Sequence, residues 1–137
     1  MAGFIQDTFI GSAPNAEYFL FKTENNNAES KLEEINWTMA AEKADSIGVD
    51  VINSSLGYSV FDDKSTSYTY ANMDGKTAII TKAANIAFEK GILVVSSAGN
   101  EGNDEWRYIT APADGPNVLT LGAVSAQRNI ANFSSRG

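Results

Sequence analysis

Two side chains are missing outright from the 137 residues: cysteine and histidine. Without cysteine there is no disulfide framework, no thiolate nucleophile and no Cys-ligated zinc or iron–sulfur site. Without histidine the chain lacks the side chain that titrates nearest neutral pH, which is also the commonest general base and metal ligand. By itself, this polypeptide cannot run Ser-His-Asp, Cys-His or His-zinc chemistry. Basic residues are scarce too: 10 Lys and Arg stand against 17 Asp and Glu, for a net charge of −7. They are scattered singly, which argues against nucleic acid and anionic membrane as partners, because phosphate backbones are held by clustered cations. No apolar run approaches the roughly 20 residues of a membrane helix, Ile92-Leu93-Val94-Val95 being typical of the longest. The N-terminus shows no basic patch followed by an apolar stretch, so no signal peptide is read there. The absence of cysteine suits a secreted bacterial protein and a cytosolic one equally. No internal repeat and no low-complexity tract is present.

At 137 residues the chain is long enough for one domain with an ordinary core. Two segments share one grammar: a stretch of helical period, a glycine, then a short apolar run. The first helix starts at Ser30, with Glu33 three residues on at the capping-box spacing. Leu32, Ile35, Met39, Ala40, Ala44 and Ile47 recur at three- and four-residue steps and predict its apolar stripe. Gly48 stands where a left-handed C-terminal cap is wanted, and Val49 to Asn53 follows as a strand. The second helix is predicted from about Gly75 to Lys90, with Ile79, Ala83, Ile86 and Ala87 facing inward. Gly91 ends it, and Ile92 to Val95 is the next strand. Its consecutive apolar residues predict burial on both faces, as in parallel sheets covered by helices. Glu17–Lys22 and Val118–Val124 are further strand candidates. The alternation predicts an α/β fold with a mostly parallel sheet and helices on both faces, joined by right-handed crossovers. Tyr58 to Asn72, rich in Ser, Thr, Tyr and Asp, reads as a long loop of the kind that is often functional or mobile.

In open α/β sheets, ligands bind beyond the C-terminal ends of the strands. Those ends read Ser54-Ser55-Leu56-Gly57 and Ser96-Ser97-Ala98-Gly99-Asn100-Glu101-Gly102, small and glycine-containing, so that another backbone can come close. An amide side chain such as Asn100, projecting from a tight turn, is a natural donor to a developing oxyanion. The ordinary alternative is that Asn100 caps the following helix or tolerates a positive φ. Dinucleotide, NTP-binding, nucleophile-elbow and S-x-x-K motifs are all missing, and no cofactor is implied. Asp62-Asp63 and Asp104-Glu105 invite a calcium reading, but their spacing does not match an EF-hand loop, and surface acidic pairs are usually solvated charge.

The run Val94-Val95-Ser96-Ser97-Ala98-Gly99-Asn100-Glu101-Gly102 resembles the oxyanion-hole segment of the subtilisin-like serine proteases. Asp50 to Gly57 is similar to their substrate-pairing strand. Gly11-Ser12-Ala13-Pro14-Asn15-Ala16 matches a G-x-A-P-x-A segment leading into a sheet strand. Gly122-Ala123-Val124 and Phe133-Ser134-Ser135-Arg136-Gly137 match a G-A-V…F-S-S-x-G stretch. Four motifs in order across the chain make the match specific. The resemblance implies that Asn100 donates to the tetrahedral intermediate of peptide hydrolysis. It implies that Ser55, Leu56 and Gly57 pair with an extended substrate, Leu56 also walling the specificity pocket. Ser97, Ala98 and Gly99 would form the opposite wall, with Thr110 and Glu101 near the floor and rim. For Ser55, Leu56 and Gly57 the ordinary alternative is a strand end with a turn glycine. Ala111-Pro112 falls at a position where the family has a cis peptide bond.

The family's D-[ST]-G, H-G-T and G-T-S motifs, which carry its catalytic Asp, His and Ser, do not occur here. Met1-Ala2-Gly3-Phe4 looks like the tail of the helix that begins at the His. Residues 1–137 therefore read as an internal portion of a subtilisin-like peptidase domain, truncated and inactive alone. A secreted or cell-envelope parent is implied by the resemblance only. In the family, the strand bearing the Asp lies between the counterparts of Glu17–Lys22 and Val49–Asn53. Either those two strands pair directly here, or another chain closes the gap by homo-oligomerisation or strand exchange. Two rival readings remain: a non-catalytic peptide-binding domain of the same ancestry, and a flavodoxin-like or nucleotide-binding module resting on strand–helix alternation alone.

Overall fold

The computed structural model describes residues 3–5 and 8–137. A small antiparallel pair comes first, β1 (Phe4–Ile5) against β2 (Phe9–Ile10), with Phe4 opposite Ile10 and Ile5 opposite Phe9. Phe4 is thus in a strand rather than the helix tail read from the sequence, held by the turn in which Thr8 N–H donates to the Ile5 carbonyl. Met1 and Ala2 lie outside the described residues. The predicted strand over Glu17–Lys22 does not form, and that segment pairs with no strand. Tyr18, Phe19, Leu20 and Phe21 are all exposed, Leu20 by 91%. Consecutive apolar residues make a strand only where a neighbouring strand takes up the backbone groups, and here none does.

Helix α1 (Lys31–Ile47) begins where its cap predicts: the Glu33 carboxylate accepts from the Ser30 N–H at 3.4 Å and from the Asn25 N–H at 2.6 Å. Gly48, at φ +84°, ends it in the left-handed conformation that glycine adopts without a Cβ penalty. The face it buries matches the predicted stripe only in part: Ala44 is buried and Ala40 and Ile47 are half-buried, but the large residues of the stripe face outward. Glu33, Glu34, Trp37, Ala41 and Ala44 are buried, whereas Leu32, Ile35 and Met39 are exposed by 60, 44 and 62%. Periodicity located an apolar face, but partners decide which face turns inward, and Trp37 has one: its indole N–H donates to Ser54 Oγ at 3.1 Å.

The central sheet is parallel, in the order β3 (Val51–Ser54), β4 (Leu93–Ser97), β5 (Val118–Leu121). Asn53 lies opposite Val95, and Ser96 opposite both Ser54 and Thr120. Strand β3 is an edge, so the gap is not closed by direct pairing with Glu17–Lys22. Helix α2 (Ile79–Glu89) connects β3 to β4, starting four residues later than predicted. It buries Ile80, Thr81, Ala83, Ala84 and Ala87; Ile79 and Ile86, read as inward, are exposed.

The parallel sheet with helices expected from the sequence is therefore present. The single core joins Trp37 and Ala41 of α1, the inner residues of α2, Ile92 and Val94, with Ile52 and Val118 packed against it. Both long helices thus lie on the same face of the sheet. On the other face Val51, Leu93, Leu119 and Leu121 are exposed, so the consecutive apolar run of β4 is buried on one side only. The stretch after β3 is not a loose loop. Tyr58 and Phe61 belong to the core, their rings stacked at 6.1 Å, and two 3₁₀ turns, Lys64–Thr66 and Tyr70–Asn72, fold the rest against it.

Candidate functional site

Parallel register brings the C-terminal ends of β3 and β4 side by side, so Ser55-Leu56-Gly57 and Ala98-Gly99-Asn100 leave the sheet together. Ser97 is the last residue of β4. A third segment, Ile109 to Ala113, crosses both ends. Thr110 N–H donates to the Ala98 carbonyl at 3.3 Å, and Ala111 exchanges two backbone bonds with Tyr58, at 2.9 and 3.1 Å. The Ala111–Pro112 bond is cis, as the resemblance implies. All of the predicted wall and floor residues therefore meet in one place, with Thr110 buried between the two strand ends.

Gly99 makes the turn. Its φ of +109° belongs to a region that L side chains rarely adopt, and a Cβ there would meet Ser135 Oγ at 2.7 Å. The turn throws Asn100 outward. Asn100 is exposed with φ −112°, and its side chain makes no hydrogen bond among the described residues, neither capping the 3₁₀ turn Glu101–Asn103 nor adopting a positive φ. An amide with no partner of its own, fixed at the end of the central strand, is free to donate to a ligand.

What fixes it was not singled out from the sequence as part of the site. The segment Phe133–Arg136 folds back over the Asn100 loop. Ser135 N–H donates to the Gly99 carbonyl at 3.0 Å, its Oγ accepts from Glu101 N–H at 3.0 Å, and Gly102 N–H reaches the Phe133 carbonyl at 2.9 Å. Ser134 and Ser135 are both buried, and the Ser134 hydroxyl accepts from Ala123 N–H at 3.0 Å. Their only sequence signal was the F-S-S-x-G run itself, because a contact between residues 34 apart leaves no periodic trace. Gly102 stands so close to the Ser134 and Asn132 carbonyls that a Cβ would not fit. On the rim, partial burial and the neighbouring Asp104 hold the Glu101 carboxyl above its usual value of 4.5. Tyr70 and Tyr108 stack at 3.8 Å, linking the loop after β3 to the loop after Asn100.

The Asp62-Asp63 pair is engaged in local structure. Asp62 accepts from the Glu29 N–H at 3.0 Å, and Asp63 caps a 3₁₀ turn through Ser65. Among the described residues no group of three or more His, Cys, Asp or Glu is arranged to hold a metal ion, and no helix is long and apolar enough to cross a membrane.

Comparison with known proteins gives a consistent answer. The model of the Subtilase family matches residues 1–137. Subtilisin DY of Bacillus licheniformis is 33% identical over 129 residues, covering 93% of this chain and 41% of its own length. The minor extracellular protease Epr of Bacillus subtilis is 30% identical over 131 residues, covering 93% of this chain and 17% of its own. The chain thus spans less than half the length of these relatives. Among solved structures, the epidermin leader peptide processing serine protease of Staphylococcus aureus shares 29% identity with a TM-score of 0.64, over 91% of this chain and 32% of that one. MycP1 with its propeptide removed superposes with a TM-score of 0.69 over 98% of this chain and 46% of that one; at 24% identity it speaks for the fold alone.

Proposed function

This chain belongs to the subtilase family, and from that premise we propose that residues 1–137 are the oxyanion and substrate-cleft portion of a longer serine endopeptidase that hydrolyses peptide bonds. The observation that carries the reading is Asn100: an exposed amide without a partner among the described residues, held by the Gly99 turn at the end of the central strand. In the proposed reaction a peptide lies extended along Ser55-Leu56-Gly57, using their backbone groups as an added strand would. Ser97, Ala98 and Gly99 face it from the other side, with Thr110 beneath. When the scissile carbonyl becomes tetrahedral, Asn100 Nδ2 donates to its oxyanion. That interaction is strongest in the transition state and therefore acts on kcat.

The sequence contains no histidine, so the base, and with it the serine nucleophile and the orienting aspartate, is supplied by segments outside these 137 residues. Alone, the chain is inactive. The partner is a peptide or protein substrate; neither a cofactor nor nucleic acid is required. A secreted or cell-envelope location fits the extracellular relative.

The test is Asn100→Ala in the full-length protein that contains this chain. Expected is a fall in kcat of about 10²–10³ with little change in KM, the size measured for the side-chain donor of subtilisin, a member of this same family. Unchanged kcat would reject Asn100 as the oxyanion donor, whereas peptide binding with no hydrolysis by the wild type would favour the non-catalytic peptide-binding reading instead. A D-[ST]-G and H-G-T upstream with a G-T-S downstream would supply the missing groups.

A further inference from the structure

Thr110 is one of two residues with a buried side-chain polar atom that has no hydrogen-bond partner among the described residues. Its hydroxyl points into the gap between the two strand ends. A Cβ on Gly57 would collide with Thr110 Oγ1, and one on Gly99 would stand 3.0 Å from it. The two glycines therefore do not leave an open slot between the walls; the space their missing side chains vacate is filled by the threonine. The residue as a whole is 2% exposed, and solvent does not reach the hydroxyl.

Nor can the side chain swing aside cheaply. Its backbone is pinned by its own bond to Ala98, by the paired bonds of Ala111 with Tyr58, and by Ala113 N–H donating to the Thr110 carbonyl at 2.8 Å. A β-branched residue on a fixed backbone has few χ1 options.

Resting on the endopeptidase reading, we infer that Thr110 closes the floor of the pocket between Ser55–Gly57 and Ser97–Gly99, so that the substrate residue on the acyl side of the scissile bond must be small: glycine, alanine or serine. A side chain laid between these walls meets a shallow depression instead of a slot. A leucine or phenylalanine there has to displace a pinned threonine or stay outside. In hydrophobic pockets each methylene that matches or misfits changes kcat/KM by about 10–200-fold, so the exclusion of leucine reads well above experimental scatter.

The experiment profiles cleavage by the full-length protein on a peptide series that varies only this residue. Expected is alanine over leucine by at least about tenfold in kcat/KM. Thr110→Gly removes the obstruction and raises the leucine-to-alanine ratio by at least about the same factor. Thr110→Val keeps the bulk and removes the hydroxyl, so its alanine preference matches that of the wild type; being isosteric, it also guards against a glycine variant that fails to fold. Efficient cleavage after leucine or phenylalanine by the wild type overturns this inference and leaves the endopeptidase reading standing. A Val variant that loses the preference also overturns it, since bulk would then not be the cause. No cleavage of any peptide in the series by a folded wild type rejects the endopeptidase reading, and this inference with it.

Discussion

Tyr58 and Tyr68 stand ten residues apart in the same loop and make opposite use of the same hydroxyl. Tyr68 donates to the Glu34 carboxylate, 2.8 Å from one oxygen and 3.0 Å from the other. Glu34 is fully buried, and it also accepts from the Ile80 N–H at 3.2 Å and from Lys31 Nζ at 3.0 Å. One carboxylate thus ties α1 to the loop and to the start of α2. Lys31 lies over the Tyr68 ring, 3.0 Å from its centroid, and its ammonium is pushed below its usual value because burial outweighs the attraction of Glu34. Tyr58, by contrast, is buried, and its hydroxyl has no partner among the described residues. Burial, followed by the charges of Glu33, Glu24, Glu29 and Glu34, pushes its ionisation far up. Removing the two oxygens should therefore have different consequences. Tyr68→Phe takes a donor from a buried carboxylate and should cost about 1.5–3 kcal/mol. Tyr58→Phe keeps the ring in the core and discards only an unsatisfied group, which is neutral or stabilising. Urea unfolding of the two variants beside the wild type measures both, and equal losses would contradict the hydrogen-bond assignment.

Among the elements, the two ends of α1 and the three parallel strands were legible because their signals are local, whereas the start of α2 was placed four residues too early. Ser30 with Glu33, Gly48, and the apolar run Ile92 to Val95 each act within a few residues. The buried face of α1 was not legible. Leu32, Ile35 and Met39 make the better apolar stripe, yet two glutamates and Trp37 turn inward, because Tyr68, Ile80 and Ser54 wait there with hydrogen-bonding groups. No spacing within the helix encodes those partners. The candidate site divides in the same way: the position of Asn100 just beyond a strand end could be read from sequence, whereas the clasp of Ser134 and Ser135 on the Asn100 loop joins residues that only folding brings together. At the N-terminus of α1, Glu24, Glu29, Glu33 and Asp62 line a cavity of about 360 Å³. Burial, then the charges of Glu33, Glu24 and Asp62, raises the Glu29 carboxyl above 4.5. A carboxyl that is raised in the folded state binds its proton more tightly folded than unfolded. Its contribution therefore favours folding below pH 4.5 and is lost as pH rises through the folded value. Glu29→Gln should raise the melting temperature at pH 7 and leave it nearly unchanged at pH 4. A shift of equal size at both pH values would mean that charge is not the cause.

For the molecule as a whole, the surface left uncovered is as informative as the core. Strand β3 has one side unpaired, and next to a sheet edge free backbone groups invite another strand. The sheet face opposite the helices presents Val51, Leu93, Leu119 and Leu121 to solvent, while the outward stripe of α1 adds Leu32, Ile35 and Met39. Apolar side chains scattered singly over a surface are ordinary, but contiguous groups on a sheet face and on one helix stripe mark places where something docks. The chain spans 41% of subtilisin DY and 17% of Epr, and a longer protein of this family has polypeptide with which to cover such faces. Expressed alone, residues 1–137 should therefore bury these surfaces against one another. Sedimentation of the isolated chain at micromolar concentration is expected to give a mass above the 14.7 kDa monomer. Met39→Glu with Leu32→Lys, which place charges on the exposed stripe, should shift that distribution toward monomer while far-UV circular dichroism stays the same. A wild-type chain that sediments as a folded monomer at every concentration would show that these faces, though apolar, do not associate.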